Sequence, residues 1–132
     1  MNKSIPGHLQ AYILPFNWDV RLVWSLATPA QDIKRIDLDH LLMLPLWSSI
    51  PKSGMLFDIS PIEVLENPHR SPHQFERVSQ ADTSYPIDLL EYNQSRWILD
   101  GVHRLAKIYQ RRSEWIKVRV HPKEIIPEIR VD

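Results

Sequence analysis

The 132-residue chain is long enough for one domain with one core, and 43% hydrophobic with 24% charged residues is the composition of a globular protein, not a disordered one. Sixteen basic and sixteen acidic residues cancel, so net charge gives no general attraction to nucleic acid or to an anionic membrane. The absence of cysteine excludes disulfides, thiolate ligands and thiol nucleophiles. No run approaches the roughly 20 apolar residues of a membrane-spanning helix, and Met1–Gln10 lacks the apolar segment of a signal peptide, so a cytoplasmic protein is expected.

Eleven prolines and three glycines cut the chain into short elements. Residues 1–11 read as a flexible leader. Trp18, Val20, Leu22 and Trp24 alternate with other residues and suggest a half-buried strand ended by Thr28-Pro29. Ile33–Leu38 reads as a second strand with Ile36 and Leu38 on one face, and Asp39 as the cap of a helical turn over His40–Met43. Residues 48–58 are loop-like. Ser60-Pro61-Ile62-Glu63 and Ser71-Pro72-His73-Gln74 each place Ser at an N-cap, Pro at the first helical position and an acid or amide three residues after the cap. They predict helices over 61–66 and 72–80, separated at Pro68.

The last third is the most legible. Pro86–Tyr92 reads as a strand, Asn93-Gln94-Ser95 as a turn and Arg96–Leu99 as the return strand. A helix over 101–112 follows, with Val102, Leu105, Ala106 and Tyr109 as its buried stripe. Trp115–Val120 is a further strand with Ile116, Val118 and Val120 inward, and residues 123–132 close the chain.

The junction Asp100-Gly101-Val102-His103-Arg104 is the segment that carries chemistry. A helix start presents unpaired backbone N–H groups and partial positive charge. Gly101 lets an anion approach the backbone, while His103 and Arg104 add side-chain donors in the first turn. The same residues also describe an ordinary capped helix with solvated bases on its face.

The run Ile98-Leu99-Asp100-Gly101-Val102-His103-Arg104-Leu105-Ala106 resembles the signature turn of the ParB/sulfiredoxin superfamily. Ser84-Tyr85-Pro86-Ile87 looks like the strand leading into that turn, and Ile36–Leu42 like the strand and turn near the start of the ParB-like domain. The resemblance covers roughly residues 33–121. It implies a compact α/β (α+β) domain over 12–132, with a small mixed sheet, short helices and a turn that holds nucleotide phosphates. Sulfiredoxins place a reactive cysteine where Val102 stands, so sulfinic-acid repair is excluded. Chromosome-partitioning relatives continue into a helix-turn-helix, which is not seen here. Free-serine kinases of this superfamily also carry Asp-Gly before His-Arg. The resemblance gives Asp100 the role of base or metal contact, and Gly101, Val102, His103 and Arg104 that of phosphate binding. The early acidic residue of those kinases has no clear counterpart in Met43–Trp47; Asp37 and Asp39 are the substitutes.

The expected function is thus nucleotide binding (ATP, ADP or CTP, with Mg²⁺ through Asp100), extending to phosphoryl transfer or nucleotide hydrolysis. The alternative is a non-catalytic nucleotide-sensing or protein-interaction module, with Leu41–Trp47 as the contact. A nuclease or DNA-binding role is disfavoured by the neutral charge. Lys107 and Arg77 are further phosphate candidates, and Trp47 a candidate wall for a base. His69 and His73 straddle a predicted helix start and cannot share one helical face as metal ligands, while His40 and His121 read as local hydrogen-bonding residues.

Overall fold

The computed structural model describes residues 13–51 and 57–132; the 1–11 leader expectation and part of the 48–58 loop lie outside them. Four strands, β1 (Gln31–Lys34), β2 (Ile87–Tyr92), β3 (Ser95–Asp100) and β4 (Trp115–His121), form one mixed sheet in the order β1-β4-β2-β3. Six short helices accompany them: α1 (Val20–Trp24), α2 (Ile36–Asp39), α3 (Pro61–Glu66), α4 (Pro72–Gln80), α5 (Val102–Gln110) and α6 (Ile126–Ile129). The expected α/β class is what forms. Among the described residues, no helix is long and apolar enough to cross a membrane.

The chain groups into two compact units. The first holds, among described residues, 13–31, 87–100 and 118–132; the second holds Asp32–Pro86 and Gly101–Lys117.

The first unit is built on β2. It pairs antiparallel with β3 and parallel with β4, where Asp88 stands opposite Arg119 and Leu90 opposite His121. The hairpin turns on Asn93 and Gln94 alone, both at positive φ (50° and 63°), the geometry that suits the twist of a two-residue hairpin; Ser95 already belongs to β3. Near its end β3 carries a bulge. Asp88 pairs with Asp100 and Leu89 with Ile98, so Leu99 is the extra residue, and its carbonyl accepts a hydrogen bond from the Trp18 indole at 2.9 Å. Leu14, Phe16, Val23, Leu90, Trp97, Leu99 and Ile129 form the unit's apolar cluster.

Residues 20–24 form a helix where alternation predicts a strand. Asp19 is the reason: its carboxylate accepts from the Arg21 amide, and the Val23 amide bonds back to the Asp19 carbonyl. Only Val23 of the helix is fully buried, so the period-two pattern has no sheet face to fill.

Paired residues of β2 and β4 contribute to a polar knot. Asp88 and His121 are buried, and His121 Nε2 is 2.9 Å from Asp88 Oδ1. Arg119 donates to the same oxygen at 2.7 Å and to the carbonyls of Val23 and Leu26. Thr28 Oγ1 lies 2.7 Å from His121 Nδ1.

In the second unit, α3 and α4 occupy 61–66 and 72–80 as the two boxes predict, but only the first works as a box. Ser60 accepts from the Glu63 amide and donates to its carboxylate. Ser71 makes no cap bond; it donates to the Ser49 carbonyl and contacts His73 Nδ1. The expected 33–38 strand is also corrected: β1 stops at Lys34, and α2 turns Ile36 out to 69% exposure while burying Leu38. The His40–Met43 turn forms as a 3-10 turn, yet the Asp39 carboxylate does not cap it because Arg35 holds it at 3.0 Å. Leu41, Leu42 and Trp47 are core residues, and Met43 is the strongly exposed member of that stretch, which removes most of the contact surface expected there.

Candidate functional site

Helix α5 opens on Gly101, whose φ of 114° and ψ of 20° lie in the left-handed region that only glycine enters cheaply. Glycine brings no side chain of its own to cap this start. The carboxylate of the preceding residue, Asp100, accepts a hydrogen bond from the Trp24 indole nitrogen at Oδ2, 2.8 Å away. The helix is shorter than the expected 101–112. It buries Leu105, Ala106 and Ile108, while Val102 and Tyr109 are half-buried.

The cations of α5 share one face and hold one neighbouring segment. Arg104 donates from Nη1 to the Pro86 carbonyl at 2.6 Å, with its guanidinium carbon 5.9 Å from the Tyr85 ring centre. Lys107 donates to the carbonyls of Ser79 (2.6 Å) and Ala81 (2.9 Å) at the end of α4. Arg111 donates to Thr83 Oγ1. Residues at i, i+3 and i+7 thus staple 79–86 against α5. Within that segment Asp82 is held below the usual carboxylate range, first by the hydroxyl and amide of Ser84 and then by the charges of Arg104 and Lys107.

His103 points elsewhere. Its ring lies parallel to that of Trp47, with centres 4.3 Å apart and planes 10° from parallel, and its Nε2 is 2.7 Å from Gln74 Oε1. Gln74 is buried and donates from its amide nitrogen to the Ser48 carbonyl at 3.0 Å. Burial, then the charges of Arg77 and His73, pushes the imidazole down to about 3, so it is neutral near pH 7.

The residues singled out from sequence are therefore divided. Gly101, Val102, His103 and Arg104 form the first turn of α5. Lys107 belongs to the staple. Arg77 is exposed on α4 and near enough to bias His103. Trp47 has its face filled by His103 and is 7% exposed, so it offers no open wall for a base. Sequence reasoning missed Gln74 as the partner of His103; its place three residues after Ser71 reads as a cap, and only the packing of α4 on α5 turns it inward. It also missed Tyr85, whose ring beside Arg104 is 62% exposed. Among the described residues no three His, Asp or Glu side chains gather as a metal site. Comparison with known protein families, characterised proteins and solved structures yields no match.

Proposed function

We propose that the start of α5 binds phosphate, that of a nucleotide, and that the chain is a ParB-like nucleotide-binding domain. One observation carries the reading: α5 begins at a left-handed glycine, which has no Cβ and so lets an anion approach the backbone of the first turn closely. The sequence resemblance at 98–106 supports it, and it counts Arg104 among the phosphate-binding residues of that turn. Tyr85, exposed beside Arg104, adds a flat apolar surface to the same face.

A divalent cation would enter with the nucleotide. Asp100, the residue before Gly101, is the carboxylate that the sequence resemblance assigns to such an ion. Such an ion would offset the repulsion between carboxylate and phosphate. Phosphoryl transfer depends chiefly on positioning and charge stabilisation, so turnover in this reading asks for one carboxylate beside bound phosphate.

Calorimetry with ATP, ADP and CTP, each with and without Mg²⁺, tests the reading. Binding lost in Gly101→Val and weakened about tenfold or more in Arg104→Ala, with unchanged circular dichroism, is the expected result. No binding by any of the three nucleotides overturns it. Product formation lost in Asp100→Asn with binding retained assigns an enzyme; binding without turnover assigns a sensor.

A further inference from the structure

The hydrogen-bond chain through Gln74 fixes where the proton of His103 sits. Gln74 donates from its amide nitrogen to the Ser48 carbonyl, so its amide oxygen is the atom facing His103 Nε2. An amide oxygen only accepts, and Nε2 must therefore carry hydrogen. The ring is half-buried and faces Arg77 and His73, which keeps it neutral at ordinary pH, so it carries no second proton. Nδ1 is left with its lone pair. No bond joins it to the described residues, and none of their buried side-chain polar atoms lacks a partner, so Nδ1 reaches solvent. Stacking on Trp47 holds the ring plane and hence the direction of that lone pair.

We propose that Gln74 is a positioning residue that holds His103 as a hydrogen-bond acceptor, and that a ligand at the α5 start meets His103 with a hydroxyl or amino hydrogen. The ligand half rests on the phosphate reading above; the tautomer does not. It reverses the donor role expected of His103 from sequence. A phosphate oxygen against a bare lone pair is repelled, whereas a nucleotide supplies phosphate for the helix amides and O–H and N–H groups for the imidazole. Bare inorganic triphosphate supplies only the first.

The test is ¹⁵N spectroscopy of the histidine rings in the whole chain from about pH 5 to 8, the range in which an ordinary histidine titrates. His103 is assigned by its loss in His103→Phe. The probes are ATP and inorganic triphosphate. The free protein is expected to show a protonated Nε2 and a bare Nδ1 throughout. ATP shifts the Nδ1 resonance and triphosphate does not. In Gln74→Glu the carboxylate draws a second proton onto the ring, and triphosphate affinity rises several-fold. A protonated Nδ1 in the free protein, or a ring that titrates in this range, overturns the assignment. A bare Nδ1 shifted equally by both probes overturns the donor-bearing ligand. Failure of both probes to bind overturns the phosphate reading and the ligand half with it, while a bare Nδ1 still upholds the role of Gln74. The wild-type spectra decide these points even where Gln74→Glu does not fold.

Discussion

Asp88 and Arg119 stand opposite each other on parallel strands and meet as a nearly buried ion pair, with the guanidinium Nε 2.7 Å from the carboxylate. The same oxygen is shared with His121, and the remaining guanidinium nitrogens end on two backbone carbonyls. Every member of the knot has a partner, which is the condition under which buried charge is tolerated.

Removing one partner leaves the other charge buried and unmatched. Asp88→Ala is expected to lower unfolding free energy by about 3–5 kcal/mol, and Thr28→Val at the rim by only about 1 kcal/mol. Urea unfolding followed by circular dichroism measures both; equal costs for the two variants contradict the hierarchy.

His103 makes stability depend on pH. Its folded pKa, about 3, lies below the ordinary value of 6.5, so between those values the unfolded chain binds more protons than the folded one. The contribution is fully present above pH 6.5 and is lost as pH falls toward 3; it amounts to a few kcal/mol, order of magnitude only. The urea midpoint of the wild type should fall from pH 7 to pH 4, and fall distinctly less in His103→Phe, with carboxylate titration common to both.

Lys107 donates to the Ser79 and Ala81 carbonyls, and its expected role is that of a staple. Lys107→Met should cost about 1–2 kcal/mol and speed amide exchange in residues 79–86, while nucleotide affinity stays within about twofold. A large loss of affinity with unchanged exchange would return Lys107 to the phosphate site.

The two serine boxes should respond differently. Ser60→Ala costs about 1 kcal/mol and frays the start of α3. Ser71→Ala leaves the α4 start nearly as protected as before, because the lost bond is the one to the Ser49 carbonyl. Amide exchange at Glu63 and at Gln74 separates the two.

Gly101→Ala places a Cβ in the left-handed region and should cost about 1–2 kcal/mol by thermal unfolding. A cost near zero would mean that the turn relaxes to an ordinary helix start.

Local signals carried through from sequence to fold. The Ser60 box, the Pro86–Leu99 hairpin and α5 depend on residues within a turn or two of one another; the box forms as expected, the hairpin with a turn one residue shorter, and α5 as a shorter helix that buries Leu105 and Ala106 of the expected stripe together with Ile108. Failures came where a distant partner decides. Trp18–Trp24 has the alternation of a strand, but among the described residues its pairing is limited to an isolated bridge between Trp18 and Arg130, and the Asp19 cap wins. The Asp88–Arg119–His121 knot joins residues more than thirty positions apart and depends on the β2–β4 register, which no single segment encodes. In the candidate site, glycine and arginine were legible as chemistry. The direction of His103 was not, because it is fixed by Gln74 and Trp47, which are contributed by other elements.

The stapling of 79–86 has a further consequence. Two of its three cations, Arg104 and Lys107, end on peptide carbonyls, and Arg111 ends on a hydroxyl. These are short-range contacts between a charge and a dipole, and dissolved ions screen such contacts far less than they screen pairs of exposed charges. Concentrated salt should therefore leave this anchorage in place while loosening surface ion pairs such as Arg70–Glu63.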